Sequence, residues 1–220
     1  MLWFQSKMSV IFQQEGNFVV KELGKVRDLS SINLKSSFEK ENLSEDKIFF
    51  IGEDDKDFLK LCKNKFDKTF VIVFDSGALS VKNFIEAGYS RDSILAFGLR
   101  NLTLDDRQFL DSNKIKYHEI KNVEDIEFAC DGLMEFINRP DSNAIITFNL
   151  SVVDPSFAPS LIESVPGGLS SRELIYFSKR LSLLKNVKVV ILKGIDYEHD
   201  KTNKLITSKL GAMVVWEFFK

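Results

Sequence analysis

Residues 148–171 read FNLSVVDPSFAPSLIESVPGGLSS, an apolar strand followed by a long excursion rich in proline and glycine. Proline fixes φ and glycine permits positive φ, so together they stiffen a connection between a strand and the next helix. We therefore expect a long ordered loop at the end of a buried strand. The residues that carry this prediction are Pro155, Pro159, Pro166, Gly167 and Gly168.

Single polar side chains in and after this loop are suited to satisfying backbone amides. Asp154 can accept hydrogen bonds from amides within the loop. Ser170 is followed three residues later by Glu173, which is the spacing of a capping box at a helix N-terminus. A helix is therefore predicted to begin near Ser170.

Outward from the loop, short β-branched or aromatic runs alternate with segments of helical period from Lys47 onward. This alternation is typical of an α/β fold, and we predict a three-layer α/β/α domain with a mainly parallel sheet. The predicted strands are KIFFIG, KTFVIVFD, DSILAFG, KIKYHEI, AIITFNLSVV and VKVVILKG. The predicted helices are DKDFLKLCKNKF, TLDDRQFLDSN capped by Thr103, residues 123–137, the segment from Ser170, and KTNKLITSKLGAMVVWEFF.

The segment before Lys47 is mostly polar, and we predict for it a short strand or helix with a loop leading into the sheet. Residues 1–46 are thus a shortened N-terminal region. No repeat or low-complexity linker divides the chain, so we expect residues 1–220 to form a single domain.

The amino-acid composition and net charge restrict which classes of partner the protein can bind. The 220 residues are 44% hydrophobic with a net charge of −2, which excludes nucleic acid or an anionic membrane as the main partner. Cys62 and Cys130 lie far apart and outside any C-x-x-C pattern, so we expect core thiols and no disulfide or zinc site. With no signal-peptide pattern and no apolar run of about 20 residues, a cytoplasmic location is expected.

Two consecutive motifs carry a resemblance to a known family. VVDPSFAP followed by PGGLSSREL resembles the signature of the ureohydrolase superfamily of arginases, agmatinases and formimidoylglutamases, in which D-x-D leads into L-D-P-x-x-A-P and P-G-G-L-T-x-R-E. In the same order, FFIGEDD resembles L-G-G-D-H, VIVFDSGAL resembles V-I-x-x-D-A-H-x-D, and ILAFGLR resembles V-x-x-I-G-I-R. VVILKGIDYEHDKTNKL matches V-V-E-V-S-P-P-Y-D-H-A-D-x-T-x-x-L without gaps. The resemblance covers Lys47 to Lys220 and implies an arginase-like fold.

The resemblance also implies which positions would hold metal. Members of this superfamily bind two manganese ions that generate a hydroxide for attack on a guanidinium carbon. Gly77 and Leu79 have no ligating atom, and two further positions carry only neutral oxygens, so we expect no di-manganese centre and no cofactor. The two remaining carboxylates could hold one hard cation weakly. Carried over residue by residue, the ligand positions are Asp55, Asp75, Gly77, Leu79, Asn149 and Ser151.

The substrate side is altered as well. The glutamate that pairs with a guanidinium in the family falls at Ile191, which removes its bidentate partner. Only SVKNFIEAGYSR joins Leu79 to the next strand, and it lacks the histidine implicated in proton transfer in the family. Metal, base and substrate anchor are therefore expected to be lost together.

Structural roles account for the remaining candidates. Asp75 is expected to cap the next turn, and Asp54 and Asp55 to act as helix N-caps. His118 and His199 match no ligand position, and we expect both to be solvated or locally bonded. Arg100 could contact a neighbouring subunit or the loop, and the sequence does not choose between them.

Three functional hypotheses remain. The first is a degenerate ureohydrolase-fold protein that acts through binding or assembly, as a homo-oligomer or as a partner of an active paralogue. The alternative is an active, manganese-dependent hydrolase of a guanidino or amidino C–N bond, with a rearranged site around Asp54, Asp55 and Asp75. The third is an emptied cleft that binds an unrelated small molecule, less charged than a guanidinium, and that is lined by Ser76, Leu79, Asn149, Ser151 and Ile191.

Overall fold

Among the described residues, eight strands form one sheet in the order β2-β1-β3-β8-β7-β4-β5-β6, and every strand pair is parallel. The computed structural model describes residues 9–13, 18–25, 32–35, 47–53 and 55–219. Because parallel neighbours cannot be joined by tight hairpins, the connections from β3 onward cross over one face or the other of the sheet. The strands are β1 Ser9–Gln13, β2 Ile32–Lys35, β3 Lys47–Ile51, β4 Thr69–Phe74, β5 Ile94–Leu99, β6 Lys116–Glu119, β7 Asn143–Asn149 and β8 Val187–Lys193.

Helices cover both faces, so the predicted three-layer α/β/α fold with a parallel sheet is confirmed. Alternate residues of the central strands lie on opposite faces of the sheet and belong to two separate apolar clusters. On β4, Ile72 and Phe74 face the cluster under α5, α6 and α8, whereas Val71 and Val73 face the cluster under α2, α3 and α4. The helices are α1 Val19–Gly24, α2 Lys56–Lys65, α3 Leu79–Glu86, α4 Leu104–Ser112, α5 Ile126–Ile137, α6 Ser171–Leu181, α7 Tyr197–Thr202 and α8 Ile206–Glu217.

The N-terminal region contributes more than one short element. Within residues 1–46, the described ranges contain two strands and a helix where the sequence predicted one strand or helix, and β1 lies between β2 and β3 in the sheet. The sequence signals for β1 and β2 are weak because these strands are only five and four residues long. A four-residue strand in a polar segment has too few positions to show a period.

Two predicted elements had the wrong bounds, and one helix was not predicted. The strand AIITFNLSVV ends at Asn149, and a 3₁₀ turn follows at Leu150–Val152. Helix α3 begins at Leu79 and occupies much of the segment that joins Leu79 to β5. The last predicted helix begins at Ile206, because Lys204 and Leu205 adopt positive φ of 55° and 57° and separate α8 from α7.

Local predictions of helix starts and core thiols are confirmed. Thr103 and Ser170 each form a capping box, with Asp106 and Glu173 as the respective partners. Cys62 and Cys130 are free thiols buried in the core. None of the helices in the described residues combines the length and hydropathy that a bilayer span requires.

Asp200 supplies a test of how α8 is anchored. Its buried carboxylate accepts from Thr207 N at 3.0 Å and from Ser208 N at 2.9 Å. Asp200→Ala leaves two amides of α8 unsatisfied, so we expect the free energy of unfolding to fall by about 3 kcal/mol in urea denaturation. The control is Asp196→Ala, which removes an exposed cap from His199 N and should cost about 1 kcal/mol or less. Equal losses would show that Asp200 does not anchor α8.

Candidate functional site

The carboxyl ends of four adjacent strands bring most of the predicted ligand positions together. β3, β8, β7 and β4 are neighbours in the sheet, and the ends of parallel strands meet at one edge. Asp55 follows β3, Asp75 follows β4, Asn149 ends β7, and Lys193 ends β8. The site is therefore built on adjacent strands whose relative positions are set by backbone pairing.

Asp75 lies at the centre of this edge and is fully buried. Its Oδ1 accepts from Ser151 Oγ at 2.9 Å, Asn149 Nδ2 at 3.1 Å and Gly77 N at 3.2 Å. Its Oδ2 accepts from the hydroxyl of Ser80 in α3. The predicted role of Asp75 in bonding the following turn is confirmed by the Gly77 contact. Four donors together satisfy the charge without a cation bonded to the carboxylate.

The neutral side chains at the ligand positions are oriented as donors. Ser151 Oγ donates to Asp75 and at the same time accepts from Ser76 N at 3.2 Å. Asn149 directs Nδ2 at Asp75, while its Oδ1 accepts from Ser151 N at 3.1 Å. The oxygens that could have bound a metal ion are therefore used to hold the turn, and hydrogens face the carboxylate.

Asp55 is satisfied differently, by a buried cation. Lys193 Nζ lies 2.9 Å from Asp55 Oδ2, and the two side chains are 6% and 1% exposed. Asn83 Nδ2 donates to Oδ1 at 3.3 Å. The N-cap role predicted for Asp55 is wrong, since Asp55 precedes α2 but its side chain makes no capping hydrogen bond. The ammonium competes better than a backbone amide for the carboxylate. Asp54 lies outside the described residues.

Two further carboxylates near this edge, those of Glu53 and Glu163, were not predicted from the sequence. Glu53 Oε1 accepts from Gly194 N at 2.7 Å and Ile195 N at 3.1 Å, and burial raises the pKa of Glu53. Glu163 Oε2 lies 3.4 Å from Ser76 Oγ, and partial burial and the charge of Asp75 raise the pKa of Glu163. Glu53 stands where the motif L-G-G-D-H has its second glycine, and this replacement of the glycine was the sequence signal that could have identified Glu53.

Leu79 and Ile191 lie away from the residues that surround Asp75. Leu79 begins α3 and is 58% exposed, whereas Ile191 is fully buried in the apolar cluster under α2, α3 and α4. A Cβ added to Gly77 would lie 3.5 Å from Asn101 O and 3.8 Å from Glu163 Oε2. Leu79 and Ile191 therefore do not join Ser76, Asn149 and Ser151 in the neutral pocket considered above.

Arg100 contacts the loop, which is one of the two alternatives that the sequence left open. Its guanidinium donates to Ser151 O and Val165 O at 2.7 Å, to Pro166 O at 3.1 Å, and to Val152 O and Val153 O at 3.2 Å. The side chain thus binds the carbonyls at both ends of the loop. Burial lowers the pKa of Arg100, and the nearby charges of Asp154 and Asp75 oppose that shift.

Asp154 organises the interior of the same loop, as predicted. It accepts from Ser156 N at 2.9 Å and Gly167 N at 2.7 Å. Hydrogen bonds from Ser156 and from the loop amides lower the pKa of Asp154 to about 2. Gly168 is required by close packing, because a Cβ there would lie 2.4 Å from Val152 O. The proline and glycine set is therefore architectural.

The two histidines lie apart from the carboxylates at the strand ends. His118 is exposed on the edge strand β6, with its ring centre 6.2 Å from that of Phe97. His199 is exposed on α7, and its Nε2 lies 3.2 Å from Asn203 Nδ2. Both contacts are local, as expected.

The side chains at the strand ends do not fit a bridged di-manganese centre. Such a centre needs lone pairs aimed at both ions, but Asp75 faces four hydrogen-bond donors and Asp55 faces an ammonium. Within the part of the chain that the structure describes, no group of three or more His, Cys, Asp or Glu side chains could hold a metal ion.

Comparisons with known proteins agree with this architecture. The sequence model of the arginase family matches residues 68–220. The hepatic arginase of Aquarana catesbeiana is 26% identical over 144 residues, which are 63% of this chain and 45% of that protein, so the match spans less than half of that relative. Among solved structures, arginase from Bacillus subtilis has a TM-score of 0.78 at 14% identity, covering 97% of this chain and 98% of that chain. Formimidoylglutamase from Bacillus subtilis subsp. subtilis str. 168 has a TM-score of 0.77 at 13% identity, covering 99% and 88%. At such identities the structural matches show the fold.

The raised pKa of Glu163 predicts a specific pH dependence. The native state binds this proton more tightly than the unfolded chain, whose carboxyl has the ordinary pKa of 4.5. Stability relative to a neutral variant therefore rises as the pH falls through the folded pKa, and levels off below 4.5. We expect Glu163→Gln to melt above the wild type at pH 7, with a difference that shrinks toward pH 4.5.

The control for this prediction is Glu198→Gln, because Glu198 is 81% exposed and pairs only with Lys201 among the described ion pairs. Thermal melts of all three proteins between neutral and acidic pH make the comparison. A pH-independent difference for Glu163→Gln would show that its charge is not the cause.

Proposed function

The chain belongs to the arginase family, and we propose that it is a member without di-manganese hydrolase activity that acts through binding or assembly. The observation that carries this proposal is the orientation of Asn149 and Ser151, both of which donate hydrogen bonds to Asp75. In this arrangement two positions matched to metal ligands stabilise a buried carboxylate, together with Gly77 N and the hydroxyl of Ser80.

The energetic balance supports the proposal. Binding manganese would require Asn149 and Ser151 to turn away from Asp75 and would break hydrogen bonds that also hold Ser76 and the 3₁₀ turn. Neutral oxygens at those two positions and no ligating atom at Gly77 leave too little negative charge for two buried dications. The hydrogen bonds that would have to break and the lack of negative charge therefore both disfavour a bridged di-manganese centre and the hydrolysis that it would catalyse.

Exposed apolar side chains are available for a role in assembly. Several large apolar side chains of the described residues are exposed, among them Phe128 at 80%, Leu104 at 72% and Leu183 at 64%. A contact with another chain would cover such side chains. We propose a homo-oligomer or a complex with an active paralogue, and a cytoplasmic location stays a prediction.

Metal loading tests the loss of the hydrolase centre. We expect protein incubated with excess manganese and then desalted to retain no stoichiometric metal by mass spectrometry. We also expect no release of urea or ammonia from arginine, agmatine or formimidoylglutamate. The positive control is a variant with four ligands restored, Gly77→His, Leu79→Asp, Asn149→Asp and Ser151→Asp, assayed for metal content under the same conditions.

The opposite outcome is equally clear for this experiment. Two manganese ions per wild-type chain, with hydrolysis that Asp75→Asn abolishes, would overturn the proposal. One ion per chain with the same dependence would support the alternative, a hydrolase with a rearranged single-metal site.

Sedimentation equilibrium tests assembly. We expect the wild type to self-associate at micromolar concentration, or to do so when mixed with an active family member from the same source. Phe128→Asp places a charge at the large apolar side chain that is most exposed among the described residues, and it should weaken that association if α5 forms the contact. Glu135→Asp, a conservative change on the same helix, is the control. A monomer in both experiments would contradict the assembly role.

A further inference from the structure

We infer that the ammonium of Lys193, at the end of β8, takes the place beside Asp55 of the positive charge that a bound metal ion supplies in a metal-binding member of this family. The inference rests on the proposed loss of the metal centre. Its basis is the buried pair formed by Lys193 Nζ and Asp55 Oδ2, which are 2.9 Å apart. Both side chains are withdrawn from water, so each charge depends on the other.

Two substitutions relative to the family motifs fit together only as a pair. Asp55 occupies the position of the histidine in L-G-G-D-H, so a neutral ligand has become an anion. Lys193 occupies the position of the serine in V-V-E-V-S-P-P, so a neutral side chain has become a cation. Either change alone would bury an unpaired charge, whereas together they make a neutral unit in which the cation is covalently attached.

Surrounding contacts orient the pair. Asn83 in α3 directs Nδ2 at Asp55 Oδ1, although this leaves its own buried Oδ1 without a hydrogen-bond partner. The amide thus serves the carboxylate at a cost to its own oxygen. Asn83 Nδ2 thus adds a hydrogen bond to Asp55 Oδ1, while Lys193 Nζ holds Oδ2.

The pair also links two chain segments that are 138 residues apart in sequence. Gly52 N donates to Leu192 O at 3.1 Å, and Glu53 accepts from the amides of Gly194 and Ile195. These backbone bonds align the turn after β3 with the turn after β8. The ion pair of Lys193 and Asp55 joins the same two turns, as a metal ion joins the residues that bind it.

A double-mutant cycle tests whether the two charges act as a unit. Lys193→Met and Asp55→Asn each leave one buried charge without its partner, so each should raise the equilibrium constant for unfolding by at least about a hundred-fold. The double variant Asp55→Asn with Lys193→Met should recover most of that loss. The matched control is Lys201→Met, which breaks the exposed pair of Lys201 and Glu198 and should change the constant by less than about five-fold.

Chemical rescue tests the cationic role directly. Lys193→Ala leaves a cavity beside Asp55, and n-butylammonium should raise the melting temperature of this variant by filling it. The neutral isostere n-butanol should not, and neither cation nor alcohol should affect the wild type. Rescue should disappear in the variant with both Asp55→Asn and Lys193→Ala. If Lys193→Ala does not fold, the double-mutant cycle with Lys193→Met provides the decision.

The outcomes separate this inference from the proposed function. Additive losses in the cycle, or equal rescue of the variant that lacks the Asp55 charge, would overturn the inference even if the wild type binds no manganese. Stoichiometric manganese in the wild type would overturn the proposed function first, and the inference with it. Strong coupling together with a metal-free wild type supports both.

Discussion

A carboxylate buried at the end of a central parallel strand must be fully hydrogen-bonded or paired with a cation, and this constraint shapes the whole carboxyl edge of the sheet. Asp75 meets the constraint through neutral dipoles drawn from the turn after β4, from α3 and from the end of β7. Asp55 meets it through the ammonium of Lys193. The turn, the helix and the loop around the edge are positioned so that these partners reach the two carboxylates.

The family's scaffold and the family's chemistry are carried by different residues of the same segments. Arg100, Asp154 and the glycine at 168 hold the loop after β7 through backbone contacts that involve no metal ion. Asn149 and Ser151 belong to the same stretch, yet they can change identity without disturbing those contacts. An arginase-like fold can therefore persist after its ligands have been replaced, provided that each buried carboxylate finds a new partner.

The predictable features were those with a local signal. The buried strands β4, β7 and β8 are continuous apolar runs, and the capping boxes at Thr103 and Ser170 lie within four consecutive residues. The break before α8 was missed because Lys204 and Leu205 adopt positive φ without the usual glycine or asparagine. Asp75 and the loop were found through motifs, but Lys193 looks like any lysine at a strand end. Its role depends on a residue 138 positions away, which no local pattern encodes.

The loop after β7 closes into a ring, because one guanidinium from the end of β5 binds carbonyls on both of its arms. The distance between the arms is consequently set by the width of a planar side chain and is independent of the number of residues between them. Lengthening a loop whose ends are already held together costs little conformational entropy. Because the amide of Ile162 is bonded to Gly194 O, the exposed residues Glu163 and Ser164 are where the chain can gain or lose residues while β7 and α6 keep their positions, and where related chains would be expected to differ most in length.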